Sequence, residues 1–310
     1  MVYAFTQARS AMSHSNLDEL GIEAAPGSWA QLSNNPATDR AVIFVHGFGG
    51  HPRKTWVDFQ SLTDTLSAKY PWWQTTDLYF LKYRSVADHI ADSSKRMRRF
   101  VGEVFPVPPD RLFMGPLSKI QPNIRIRPGP YAYKSLVLVA HSEGGLVTRL
   151  MLIDVVKDWK DRTTTDHDPI LKAALRLFAP AHLGASPSGL LGVLAGSIAI
   201  GDLIRTGLLG SPAYNEMQQN SQILQPVRER TEELADKFEW MTALHALIAW
   251  GEKDQVVTKG EFWTDRRFPK KNQDVPGKGH VSVCKPRDNY RLPLEFVSYD
   301  WIPGTEVSFP

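Results

Sequence analysis

Ala140-His141-Ser142-Glu143-Gly144 follows the apolar run Leu136-Val137-Leu138-Val139, and this junction decides the fold. Four consecutive apolar residues, two of them β-branched, read as a short buried strand. Beyond the junction, Leu146-Val147-Thr148-Arg149-Leu150-Met151-Leu152-Ile153 continues with the apolar face of a helix. A serine on a sharp strand-to-helix turn, with small residues two positions to either side, describes a nucleophile elbow. The turn brings strand and helix backbones too close for bulk, and it lifts the hydroxyl over the carboxyl edge of a sheet. Ala140 fills the first small position and Gly144 the second, and Gly145 adds room.

Working outward, the sequence predicts further strands at Ala41–Val45, Leu78–Tyr83, Ala174–Ala179 and Leu244–Trp250. It predicts helices over Trp56–Ala68, Val86–Val104, Leu146–Trp159 and Ile223–Phe238. Strands alternating with helices give the α/β class, a mostly parallel central sheet flanked by helices. Two stretches break the rhythm. Pro106–Pro130 holds seven prolines and no clear period, which predicts an irregular excursion. The stretch 182–217 is rich in Gly, Ser and Leu and lies between the fourth and fifth predicted strands, which predicts a lid or cap insertion. No linker divides the chain, so 1–310 reads as one domain.

Composition sets bounds. With 310 residues and 42% apolar content the chain can bury a sizeable core. A formal charge of +3 is too small at this length to argue for nucleic-acid binding. Cys284 is the single cysteine, which excludes an intramolecular disulfide. Met1–Asn16 has no apolar signal region, and the longest apolar stretch, Leu190–Ile204, is broken by Gly192, Gly196, Gly201 and Asp202. It is short for a membrane span, so the expectation is a cytoplasmic protein.

A serine hydroxyl is a weak nucleophile at neutral pH and needs an adjacent base, commonly a histidine oriented by a carboxylate. With an elbow serine the chain order is Ser, then Asp or Glu, then His. Asp254 follows the strand candidate Leu244–Trp250 and the turn Gly251-Glu252-Lys253, at the carboxyl end where parallel sheets hold their functional groups. Turn aspartates are also commonly just solvated, and Glu252 and Asp274 are the reserve acids. His280, in Gly277-Lys278-Gly279-His280, lies downstream of Asp254 in a glycine-rich loop and is the candidate base. His51 and His182 lie upstream of the acid. His141 sits inside the elbow and is expected to point away from the pocket. His245 reads as strand core, and His14, His89 and His167 read as surface.

Charge that develops on a carbonyl oxygen needs preorganised donors, commonly two backbone N–H groups. One is expected at Glu143, directly after the nucleophile. The other is expected at Phe48, in the loop His46-Gly47-Phe48-Gly49-Gly50 after the first apolar strand. A phosphate-binding loop is the rival for that segment, but it has neither Gly-Lys-Ser/Thr nor GxGxxG spacing.

Together these motifs resemble the α/β-hydrolase superfamily over about Ala41–Pro286, and within it the serine esterases and lipases. His46-Gly47 and Ala140-His141-Ser142-Glu143-Gly144-Gly145 look like bacterial lipase motifs, which tolerate alanine at the first small position. Ala179-Pro180-Ala181-His182-Leu183-Gly184-Ala185 is similar to a lipase-like loop. The segment Gly279–Pro286 looks like the branch containing GPI inositol deacylases and a mitochondrial phosphatidylglycerol-remodelling protein. The resemblance implies ester hydrolysis through an acyl-enzyme on Ser142, with His280 as base and Asp254 holding it. It implies no metal or organic cofactor, and a small-molecule or lipid ester as substrate. A thioesterase, amidase or acyltransferase would share the same machinery, and a non-catalytic binding module would not need all three groups.

Leu183, Leu190, Leu191 and Leu194 in the insertion are candidates for an apolar acyl pocket, or equally for a plain cover over the sheet. Arg266, Arg267, Lys270, Lys271, Lys278, Lys285 and Arg287 bracket His280. Such a rim would suit anionic headgroups or an anionic membrane surface, although charge runs commonly serve as solvated faces.

Overall fold

The computed structural model describes residues 14–59, 71–113, 127, 130–162, 167–197, 207, 210–219, 221–260 and 273–299. The elements run β1 (His14–Leu17), β2 (Trp29–Ser33), β3 (Arg40–Val45), α1 (Pro52–Thr55), α2 (Pro71–Gln74), β4 (Thr76–Leu81), α3 (Ile90–Val104), β5 (Ser135–His141) and α4 (Glu143–Asp161). They continue as β6 (Ala174–Phe178), α5 (Pro187–Ser197), α6 (Pro212–Glu216), α7 (Leu224–Lys237), β7 (Ala246–Gly251), β8 (Gln273–Val275) and α8 (Leu292–Ser298).

One eight-stranded sheet carries the strands in the order β1-β2-β4-β3-β5-β6-β7-β8. β2 runs antiparallel to both β1 and β4, and from β4 to β8 every pairing is parallel. Helices cover such a sheet on both faces, so its central strands read as unbroken apolar runs. Ala41 to Val45 of β3 are fully buried, with Ile43 in register with Tyr79 on β4 and Leu138 on β5. This order lines up the carboxyl ends of β3, β5, β6 and β7 along one edge of the sheet.

The predicted strands, and the predicted helices that fall within the described residues, are present with shifted ends. α3 begins at Ile90 rather than Val86, because Ala87 and Asp88 both turn back onto the Arg84 carbonyl and His89 is extended. Its buried positions Ile90, Ser93, Ser94, Met97, Phe100, Val101 and Val104 form one stripe. β4 covers Thr76–Leu81, and β7 starts at Ala246, with Leu244 in a preceding 3₁₀ turn. The expected helix Trp56–Ala68 lies largely outside the described residues. Within the proline-rich stretch a 3₁₀ turn spans Asp110–Phe113. β1, β2 and β8 were not expected from the sequence. β2 is buried at all five positions, including Gln31 and Ser33, so it shows no alternation to read, and β8 has only three residues.

His14 corrects an expectation. It is buried rather than on the surface, with Nε2 2.9 Å from the Thr76 carbonyl. At the same amino-terminal end of β4, the Arg127 guanidinium and Asp77 carboxylate are both fully buried and 2.7 Å apart. Asp77 also accepts from the Ser33 N–H at 2.7 Å and from the Tyr133 hydroxyl. Among the described residues no helix is long and apolar enough to cross a membrane.

Candidate active site

Ser142 stands between β5 and α4 with φ 55° and ψ −123°, a left-handed backbone that a side-chain-bearing residue adopts only when its surroundings enforce it. Three hydrogen bonds enforce it here. The Ser142 N–H donates to Phe178 O on β6 at 3.0 Å, and the Ser142 carbonyl accepts from Gly145 N–H at 3.0 Å and Ala181 N–H at 3.2 Å. Gly144 is required by contact: a Cβ there would lie 2.6 Å from His46 O and 2.7 Å from Val45 O, both fixed backbone. The small-residue rule of the motif is thus a collision between α4 and the end of β3.

The chain has the α/β-hydrolase fold. Its strand order, its antiparallel second strand and the strained serine after β5 decide this.

The three residues that the sequence ordered as nucleophile, acid and base meet at the carboxyl edge of this α/β-hydrolase sheet. His280 Nε2 is 3.0 Å from Ser142 Oγ, and His280 Nδ1 is 2.8 Å from Asp254 Oδ2. The side chains of His280 and Asp254 are 5% and 0% exposed, so water does not compete for these bonds. Asp254 sits in the turn after β7, and its other oxygen accepts from the N–H groups of Val256 at 2.8 Å and Val257 at 3.3 Å. Burial alone would raise the Asp254 pKa, but the bond and charge of His280 and the two amides outweigh it and hold the pKa below its ordinary value. The reserve acids lie elsewhere: Glu252 is exposed and accepts from Gly277 N–H, and exposed Asp274 pairs with Lys259 at 2.8 Å.

The loop after β3 lies against the serine. The Gly47 carbonyl accepts from Gly50 N–H at 2.9 Å and from His46 Nδ1 at 3.0 Å. In a trans peptide the next N–H points the opposite way, so pinning Gly47 O aims the Phe48 N–H. Among the described residues no acceptor takes the N–H of Phe48 or of Glu143, and the latter is an open donor in the first turn of α4. Behind the loop the His46 ring stacks on Tyr83 at 4.4 Å, and the Tyr83 hydroxyl donates to His46 O. Burial pulls His46 down to about 4, so this support is neutral.

Tyr214 on α6 is buried with its ring 6.3 Å from that of Phe48, so α6 packs over the loop after β3. Glu216 fastens the end of α6 to the start of α3, accepting from Ile90 N–H at 2.8 Å and contacting His89 Nδ1 at 2.7 Å. Leu190 belongs to the main core, Leu191 packs at its margin, and the Leu194 side chain lies outside the described residues. Leu183 lines a cavity of about 480 Å³ with Gln219, Leu224, Arg228 and Thr258. Of the basic rim, Arg266, Arg267, Lys270 and Lys271 lie outside the described residues. Lys278 rests 3.8 Å above the Tyr290 ring, and Arg287 pairs with Asp58.

Two features escaped the sequence. His141 does not point idly away, because its Nε2 lies 2.8 Å from the His280 carbonyl. Glu143 carries a fully buried carboxyl whose two oxygens have no hydrogen-bond partner among the described residues. An Asp or Glu directly after an elbow serine is a signal worth reading, since that side chain turns inward with the helix.

No protein-family model matches the chain, and no curated protein matches it. Among solved structures it is similar to the siderophore hydrolase EstB from Aspergillus fumigatus, at 14% identity and TM-score 0.48, over 87% of this chain and 91% of that one. It is also similar to the carboxylesterase CesB from Bacillus subtilis, at 10% identity and TM-score 0.44, over 91% of each chain. A third is the phospholipase PlaB from Legionella pneumophila, at 17% identity and TM-score 0.41 over 69% of this chain. The chain spans 38% of the length of that phospholipase.

Proposed function

We propose that the protein is a serine ester hydrolase, a carboxylesterase or lipase acting through an acyl-enzyme on Ser142. One observation carries this reading: a buried line of two hydrogen bonds, 2.8 Å and 3.0 Å, runs from Asp254 through His280 to Ser142 Oγ. A binding site has no use for a carboxylate, an imidazole and a strained serine in series.

In the first half-reaction Ser142 Oγ attacks the ester carbonyl carbon while its proton passes to His280 Nε2. Asp254 accepts the Nδ1–H bond, fixes the tautomer and stabilises the imidazolium that forms. The carbonyl oxygen becomes an oxyanion and takes the Phe48 and Glu143 N–H groups. As the tetrahedral intermediate collapses, the ester C–O bond breaks and His280 returns the proton to the leaving alcohol. Water then enters, gives a proton to His280 and attacks the acyl carbon; the acyl C–Oγ bond breaks, His280 returns the proton to Ser142 Oγ, and the acid leaves. Tyr214, packed over Phe48, supplies the start of an apolar roof for the acyl chain.

A fluorophosphonate probe tests the reading. The wild type is expected to label and Ser142→Ala to remain unlabelled; an unlabelled wild type, or a labelled S142A, refutes it. A series of p-nitrophenyl esters of increasing chain length, run beside a thioester and an anilide, then fixes the leaving group.

A further inference from the structure

His141 closes β5, one residue before the nucleophile, and its side chain reaches out of the strand toward the loop that carries the base. Its Nε2 is 2.8 Å from the His280 carbonyl oxygen, and the two imidazole rings lie 4.7 Å apart at 48°. A carbonyl only accepts, so Nε2 of His141 carries the proton in this contact.

The other fastenings of the loop do not reach the nucleophile. Lys278 O accepts from Lys253 N–H at 2.8 Å, Gly279 N–H donates to Ser282 Oγ at 2.9 Å, and Val283 O accepts from the Tyr290 hydroxyl at 2.7 Å. These bonds tie the loop to itself and to the turn after β7. Gly277, with φ +71°, and Gly279 flank Lys278 just before the base, so the loop turns into His280 on local bonds alone. The His141 bond is the one contact among the described hydrogen bonds that joins the backbone of the base to the strand of the nucleophile.

We propose that His141 is a positioning residue: its Nε2–H grips the His280 carbonyl and so sets the separation between the base and Ser142. The inference rests on the ester-hydrolase reading above. Catalytic geometry tolerates little slack, and a displacement of about 1 Å costs on the order of 10²-fold in rate. The grip also has to be neutral, because a cation at residue 141 would oppose the imidazolium formed on His280 in both half-reactions. Burial and the neighbouring His280 together hold the His141 pKa down to about 3, in keeping with that requirement.

The test compares His141→Met and His141→Gln in the full chain. The two side chains match in length, and only glutamine offers an N–H to the carbonyl. H141M is expected to slow phosphonylation of Ser142 and kcat on a p-nitrophenyl ester by about 10- to 100-fold, with KM within about twofold. H141Q is expected to recover most of that loss at the same melting temperature as H141M. Where H141M yields no folded protein, His141→Phe replaces it, keeping a ring without a donor. A donorless variant that reacts at the wild-type rate, or an H141Q as slow as H141M, overturns the proposal. A wild type that takes no label overturns the hydrolase reading and this inference together. A labelled wild type beside an unimpaired H141M overturns this inference alone.

Discussion

A Cβ atom added to Gly47 would stand 2.6 Å from Ser142 Cβ and 3.0 Å from the His141 carbonyl. The loop after β3 therefore touches the elbow with no space between them, and the proposed oxyanion donor, the Phe48 N–H, directly follows this contact. Gly47→Ala has to push the loop away, because the atoms it meets belong to a strained turn that cannot yield. Losing one oxyanion donor costs about 3 kcal/mol of transition-state stabilisation. Gly47→Ala should then lower kcat by about 10²-fold and leave KM nearly unchanged. Steady-state kinetics on a p-nitrophenyl ester reads both, and an unchanged kcat would remove Phe48 from the oxyanion hole.

Asp254 divides its two oxygens between tasks: Oδ2 meets His280, and Oδ1 holds the backbone of Val256 and Val257. Asp254→Asn keeps the fold of the turn but faces His280 with an N–H in one orientation, which favours the wrong tautomer. The expected loss in kcat is on the order of 10⁴-fold. Glu252→Ala and Asp274→Ala should stay within about twofold of wild type. A D254N enzyme of normal activity would return the acid role to one of those reserves. The depressed Asp254 pKa also fixes a sign. Its contribution to stability is present above its ordinary unfolded value and is lost as pH falls toward the folded one.

The elbow was readable in sequence because steric exclusion writes itself locally: Gly144 and Gly145 have to be small wherever α4 leaves β5 so sharply. Asp254 and His280 were readable because the order of strands fixes which loops share an edge. His141 was not, because nothing in one dimension says where the last residue of a strand sends its side chain. His14 read as surface, yet it is buried against a partner far along the chain, Thr76, and Arg127, which carried no sequence signal, is buried against Asp77. The rim around His280 was readable as charge but not as pairing, since Arg287 meets Asp58 and Lys278 covers Tyr290 only after folding.

That pairing bears on membrane contact. If the remaining basic residues draw anionic lipid to the site, raising salt from about 0.05 to 0.5 M shortens the Debye length to a few ångströms and weakens the attraction. Turnover of an anionic phospholipid should then fall steeply while turnover of a neutral p-nitrophenyl ester holds. Equal salt response for both substrates would dismiss the anionic surface as a partner.

Asp77 and Arg127 sit at the amino-terminal end of β4, remote from the edge that carries Ser142. Arg127→Met leaves Asp77 buried with, among the described residues, the Ser33 N–H and the Tyr133 hydroxyl as donors, and breaking such a pair on one side costs about 3–5 kcal/mol. Urea denaturation should register that loss. kcat per folded molecule should remain at the wild-type value, because nothing at the carboxyl edge moves. A fall in kcat without a fall in stability would place this ion pair in the active-site architecture instead.

Glu143 presents the opposite case, an unpaired carboxyl beside the nucleophile. Its side chain is fully buried, and Tyr83, Glu216 and Asp88 are the titratable groups that act on it or feel it. Burial first, then the charges of Glu216 and Asp88, raise its pKa well above the ordinary carboxylate value and favour the neutral form. A group with a raised folded pKa contributes its full stability below the unfolded value, about 4.3, and loses it as pH rises toward the folded one. Each pH unit in that window costs about 1.4 kcal/mol relative to a residue that does not ionise. Glu143→Gln keeps the shape and the backbone N–H and removes the ionisation. Its melting temperature should therefore gain on the wild type progressively as pH rises above the ordinary carboxylate range, with kcat at pH 7 within about threefold. A melting difference that stays flat over that range would mean that the carboxyl has found a proton donor or cation in solution and ionises at its ordinary pKa.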